Sequence, residues 1–198
     1  MKISIDMDGV LARFDSAFAE ACNRVWPGRL PTDFEPTNWD YTKCTDLSKA
    51  EVNVVWGRIK QTENFWLKLW PYSEGVIALA RFLVSQKGHD VYFTTARVPT
   101  PGLTVAKQTQ LWLDSCGIRE CNNYVGVLVC EAERKWELYE AMDIAFSIDD
   151  KGTTVEECDL LLAPWHRAYL LDRPWNQEAK PARRIASVEE FLDAASHG

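Results

Sequence analysis

Short apolar runs recur along this chain, separated by longer stretches in which apolar positions return at helical spacing. Residues 2–8 read as a buried strand that ends in acids, and 90–95 as a second strand. Residues 124–130, 144–148 and 168–171 read as a third, a fourth and a fifth. Between them, segments 75–87, 104–115 and 132–142 have the length of helices. Near the end, Ser187-Val-Glu-Glu190 precedes Phe191 and Leu192, a capping-box pattern that opens a last helix. Short apolar strands alternating with helices predict an α/β fold, a doubly wound parallel sheet covered on both faces.

The stretch 14–72 breaks this rhythm. It carries Pro27, Pro31, Pro36 and Pro71, two helix-like pieces (14–25 and 47–60) and no run that reads as a strand. Five of the nine tryptophans fall in it: Trp26, Trp39, Trp56, Trp66 and Trp70. It reads as a helical cap inserted after the first strand, over the carboxyl edge of a core made of 1–13 and 73–198. Trp26 and Trp56 lie inside the helical pieces and are assigned to the cap's own core. No internal repeat occurs, and no linker is long enough to separate independent domains.

Composition narrows the function. The 198 residues carry 22 basic against 29 acidic side chains, a net charge of −7, which speaks against coating a nucleic acid. No run reaches the ~18–20 apolar residues of a membrane span, and two acids by position 8 interrupt any signal-peptide core. A cytoplasmic location is the expectation. The six cysteines (22, 44, 116, 121, 130 and 158) form no Cys-x-x-Cys pair and do not cluster with the three histidines. Free thiols are expected, rather than zinc or a redox dithiol.

Four groups carry the chemistry. In Asp6-Met7-Asp8-Gly9-Val10, residues two apart on a strand point to one side, so Asp6 and Asp8 are expected to share a site. Gly9 permits a sharp turn, and the glutamate a calcium loop would need is replaced by Ala17. Thr94-Thr95-Ala96-Arg97 ends the second strand, where a hydroxyl and free N–H groups make a phosphate cradle; Thr95 is placed best. Arg97 either meets the substrate or lies on the solvated rim. Lys135 starts the helix that leads to the fourth strand, and Asp149-Asp150 ends that strand. Consecutive residues face opposite ways, so one acid of the pair is expected to ligate a hard cation directly; Mg2+ suits an all-oxygen site. In an open parallel sheet, these carboxyl ends converge on one crevice.

In this order, the four groups resemble the motifs of the haloacid dehalogenase superfamily of aspartate-nucleophile phosphohydrolases. The match lies at Asp6–Val10, Thr95, Lys135 and Asp149-Asp150. Within it, residues 6–11, the block from Asn64 to Pro71 and Arg173-Pro-Trp-Asn176 resemble the 5'(3')-deoxyribonucleotidases. Better-known members carry Thr-Ser-Pro where this chain has Thr95-Ala96-Arg97.

The resemblance implies a Mg2+-dependent phosphomonoesterase that hydrolyses (deoxy)nucleoside monophosphates, in a chain whose relatives often pair as homodimers. It makes Asp6 the nucleophile, Asp8 the general acid and base, Thr95 and Lys135 the phosphate holders, and Asp6, Asp8 (through its carbonyl), Asp150 and, through water, Asp149 the metal group. Nearby carboxylates would keep Asp8 protonated. Thr94, Ala96 and Arg97 would line the phosphate, while Trp39, Tyr41, Phe65 and Trp66 would stack on a base. A sugar phosphate is the rival substrate. A phospho-accepting receiver domain is the rival class, disfavoured because the third strand has no acid at its tip and the insertion has no counterpart there.

Overall fold

The computed structural model describes residues 1–85, 88–119 and 124–198. Residues 86–87 of the expected helix 75–87, and Cys121, lie outside the described residues. Six strands form one parallel sheet: β1 (Lys2–Asp6), β4 (Asp90–Thr95), β5 (Tyr124–Val129), β6 (Phe146–Asp149), β7 (Arg167–Leu171) and β8 (Arg184–Ile185). Their spatial order is β5-β4-β1-β6-β7-β8. β1 is central and pairs with β4 (Ile5 opposite Phe93) on one side and β6 (Ile5 opposite Ile148) on the other. Its Ile3 and Ile5 are wholly buried. Each such side chain contributes about 1.5–3 kcal/mol relative to exposure, which is why a strand this short is fixed in the middle of the sheet. The chain reverses its direction of travel across the sheet beside β1, so the crevice between the tips of β1 and β6 is a topological switch point.

Helices α4 (Ser73–Ser85), α5 (Val105–Ser115), α6 (Lys135–Ala141), α7 (Gly152–Leu161) and α8 (Val188–His197) flank the sheet. The expected helix at 132–142 splits into a 3-10 turn over Ala132–Arg134 and α6. The apolar pattern does not reveal α7, because only Gly152, Thr154, Val155 and Cys158 of its ten residues are buried. At α8, the Ser187 hydroxyl accepts from Glu190 N–H, but Glu190 reaches back to Ala186 N–H, so the box is shifted by one residue.

The insertion after β1 contains α1 (Phe14–Val25), α2 (Tyr41–Cys44) and α3 (Lys49–Gln61). α3 opens on a complete capping box between Ser48 and Glu51. The insertion does contain strand: β3 (Trp70–Pro71), which pairs antiparallel with β2 (Ala12–Arg13) just before the insertion and forms its neck. Two residues are too few to leave a period-2 signal. Among the described residues, no helix is long and apolar enough to cross a membrane. The five described cysteines are free.

Candidate active site

β1 ends at Asp6, and the chain then closes a tight loop in which Met7 C=O accepts from Leu11 N–H and Ala12 N–H. Gly9 sits at φ +82°, and a Cβ there would collide with the Asp150 carboxylate. Only glycine combines that dihedral with so close an approach. Because the strand stops at Asp6, the expected alternation does not carry to Asp8. The two carboxyls line one cavity but take different partners: Asp6 pairs with Lys135, and Asp8 with Arg97.

Asp6, Asp149 and Asp150 bring one carboxylate oxygen each within 4.8 Å of one another, all buried. Both members of the pair reach the cluster: Asp149 ends β6, and Asp150 lies just beyond it. Lys135 Nζ donates to Asp6 Oδ1 (2.5 Å) and to Asp149 Oδ2 (2.7 Å). Asp149 Oδ1 also accepts Lys151 N–H at 2.8 Å. Asp150 Oδ2 accepts Trp175 Nε1–H at 2.9 Å, and its backbone carbonyl accepts from Asn176. The Arg173-Pro-Trp-Asn176 block thus serves as a clasp behind the acid pair.

Burial raises the Asp6 carboxyl; Lys135 pulls it back, Asp149 adds to the rise, and the balance leaves it pushed up to about 7. Asp150 is raised well above the usual carboxylate range, first by burial and then by the charges of Asp149 and Asp6. Burial works against the Lys135 ammonium, but Asp149 and Asp6 outweigh it and hold the proton on. Around the crevice, the four carboxylates of Asp6, Asp8, Asp149 and Asp150 face the two buried cations Lys135 and Arg97. A divalent ion would favour the ionised form of the buried carboxyls, and an all-oxygen donor set is what a hard cation takes. The residues present fit such an ion.

Arg97 does not lie on a solvated rim. Its side chain is fully buried, with Nε donating to Asp8 Oδ2 at 2.8 Å and Nη2 to Asp8 Oδ1 at 2.7 Å. A guanidinium, rather than a ring of carboxylates, is what pairs with Asp8. Thr95 is buried at the tip of β4 and lines the cavity with Ala96 and Arg97. Thr94 does not: its hydroxyl is bound to Ser4 Oγ at 2.6 Å inside the sheet.

The cavity holds about 480 Å³. Its floor is Asp6, Asp8, Thr95, Lys135, Asp149 and Asp150, and its walls are Phe14, Trp39, Tyr41, Trp56 and Trp66. Trp39 is half exposed, and Tyr41 stacks on Phe18 with centroids 3.9 Å apart. Phe65 is not a wall residue. It is buried edge-on against Trp66, 5.0 Å away, and against Phe14.

Sequence reasoning misses two wall residues, Trp56 and Phe14. Trp56 stacks on Phe14 at 5.2 Å and faces the cavity together with Val52, one turn earlier on α3. The Val52/Trp56 spacing of four beside the buried pair Val55/Ile59 marks two faces on α3, and that is the available signal. Phe14 carries none, because its place depends on the β2–β3 neck. A second cavity of about 500 Å³, between Arg13, Tyr72, Arg81 and Arg173, contains no member of the carboxylate cluster.

Comparison with known proteins identifies the fold. No family model matches the chain, and no curated protein matches it by sequence. Among solved structures, the HAD-hydrolase YfnB from Bacillus subtilis bound to magnesium superposes with a TM-score of 0.59 at 15% identity, over 98% of this chain and 97% of that one. L-2-haloacid dehalogenase from Xanthobacter autotrophicus, with chloropropionic acid covalently bound, gives 0.57 at 11% identity over 98% and 97%. A phosphoglycolate phosphatase, so assigned by prediction, from Haemophilus somnus 129pt gives 0.54 at 15% over 98% and 96%. The fold is that of the haloacid dehalogenase-like hydrolases, an α/β sheet with a helical insert after β1. The particular reaction rests on the site.

Proposed function

We propose that this protein is a Mg2+-dependent phosphomonoesterase of haloacid dehalogenase type, acting on small phosphate monoesters and preferring nucleoside monophosphates. The observation that carries the reading is the convergence of Asp6, Asp8, Thr95, Lys135, Asp149 and Asp150 on the floor of one aromatic-walled cavity. Asp6 attacks phosphorus and forms an aspartyl-phosphate while the ester P–O bond breaks. The departing oxygen takes its proton from Asp8, which then accepts one from the water that hydrolyses the phosphoenzyme. Lys135 and the Thr95 hydroxyl hold the phosphoryl oxygens. Asp6 and Asp150 are the residues that would hold the ion, since Asp149 already spends both oxygens on Lys135 and Lys151 N–H. When bound, the ion supplies positive charge where the phosphate dianion meets the carboxylates.

The dehalogenases share this fold, but the arrangement of Asp8 favours phosphate esters. A halide leaves as a stable anion and needs no proton, whereas an alkoxide does. A carboxyl fixed beside the nucleophile is useful only in the second case. The aromatic walls support a planar leaving group, because base faces stack on aromatic rings without regard to sequence.

Phosphate release with Mg2+ across ribo- and deoxynucleoside monophosphates and sugar phosphates tests the reading. Preferential turnover of nucleotides, lost in Asp6→Asn, is the expected result. Turnover confined to sugar phosphates would remove the base from the proposal, and no turnover by folded, Mg2+-loaded protein would remove the phosphatase.

A further inference from the structure

Arg97 is an expensive residue. A guanidinium with no solvent exposure is retained only where it is paired, and here each of its three nitrogens has a partner. Nε and Nη2 grip both oxygens of Asp8, and Nη1 donates to Thr109 Oγ1 at 3.0 Å. Its plane lies over the Trp66 indole, 5.0 Å from Cζ to the ring centroid. Trp66 is itself pinned, its Nε1–H on the Val98 carbonyl at 2.8 Å and its backbone N–H on Gln108 Oε1 at 3.1 Å. Gln108 and Thr109 are both wholly buried on α5, and Gln108 also ties down the loop before the helix through Leu103 C=O at 2.7 Å. α5, Trp66 and Arg97 therefore form one rigid support, and what it holds is the Asp8 carboxyl.

We propose that Arg97 is a positioning residue for proton transfer to and from the leaving group, acting through Asp8 rather than on the phosphate. This rests on the phosphatase reading above. A carboxylate has about four lone-pair sites, and a bidentate guanidinium takes one on each oxygen. One site per oxygen is left, and these are the ones that can carry the transferred proton. The grip holds the carboxyl group at the floor of the cavity, which it shares with Asp6. In the first step, the Asp6 oxygen–phosphorus bond forms, the ester P–O bond breaks, and its electron pair receives the Asp8 proton. In the second, Asp8 accepts a proton from the attacking water. Lysine would keep the charge but offer a point donor instead of a planar fork, so it would not reproduce the orientation.

Leaving-group dependence separates this role from phosphate binding or simple folding. An alkoxide must be protonated as it departs, whereas p-nitrophenolate leaves without a proton. With nucleoside 5'-monophosphate, Arg97→Lys is expected to lower kcat by roughly 100-fold or more, the usual worth of general acid–base catalysis. With p-nitrophenyl phosphate, the first turnover is expected to change by less than about threefold, because that step needs no general acid. The later hydrolysis slows, so rapid mixing shows a burst of p-nitrophenolate and accumulation of phosphoenzyme. Thr109→Val, which loosens Arg97 without touching Asp8, is expected to give a smaller loss with the same leaving-group dependence. Equal losses on both substrates with no burst, in variants that melt like wild type, would overturn the assignment of Arg97 and leave the phosphatase reading standing. Failure of the wild-type protein to turn over either ester with Mg2+ would overturn both.

Discussion

The floor and the walls of the cavity are built on different principles. On the floor, each carboxyl group is held by a named partner: Asp6 and Asp149 by Lys135, Asp8 by Arg97, Asp150 by Trp175. On the walls, Phe14, Trp39, Tyr41, Trp56 and Trp66 come from β2's exit, the loop before α2, α2, α3 and the turn before β3. The floor is positioned by the ends of strands, whose register is fixed by buried pairs such as Ile5 with Phe93 and Ile148. The walls are positioned by how a small insert packs. On the proposed function, reaction type would belong to the sheet and substrate choice to the insert, and the two should respond separately to substitution.

The sharpest break is Asp6→Asn. Turnover should fall by at least ~10³-fold, because the nucleophile is lost while the shape is kept. Its melting temperature without metal at pH 8 should not fall, since burial already disfavours the Asp6 charge. A large loss of stability would mean that the floor is structural first.

Lys135→Ala comes next. It leaves three buried carboxylates around a missing cation, and unfolding at pH 8 should lose about 3–5 kcal/mol. Denaturant titration at pH 5 should show a smaller loss, because carboxyls raised by burial accept protons there in place of the ammonium.

Wall substitutions should move KM rather than kcat. Trp39→Ala, at a half-exposed position, should raise KM for nucleotides roughly tenfold, one lost stack, and leave small alkyl phosphates unaffected. Phe65→Ala should instead lower stability, with little change in KM for the folded fraction, because its ring faces Trp66 and Phe14 and not the cavity.

The smallest expected effect is a pH trend. Asp6 titrates near 7 in the folded chain against 3.8 for the ordinary carboxyl, so folding takes up a proton between these values. That contribution is complete below about pH 4 and is lost as pH rises through 7. Mg2+ replaces the proton, so its thermal stabilisation should grow from pH 5 to pH 8. A shift that is flat with pH would place the ion away from Asp6.

The same division explains what the sequence can and cannot convey. The central strands announce themselves because buried parallel strands need continuous apolar residues, and acids at their tips then have no structural excuse. Asp6, Thr95, Lys135 and the acid pair are legible for that reason. The pairing of Arg97 with Asp8 is not, since the two lie 89 positions apart and Asp8 sits in the loop after β1. Trp56 reads as core because a tryptophan inside a helix usually is, although its spacing from Val52 shows the second face. Phe65 reads as a wall because its neighbour Trp66 is one; a 3-10 turn sends adjacent side chains to different sides. β2, β3 and α7 leave too little apolar pattern to read.

The central claim is that Asp6 carries the phosphoryl group. Rapid acid quench of wild-type protein turning over p-nitrophenyl phosphate with Mg2+, followed by peptide mass analysis, reads this directly. One added phosphoryl group on the peptide containing Asp6, absent in Asp6→Asn, is the predicted result. Turnover with no label on that peptide, or label on Asp8 or Asp149 instead, would contradict it.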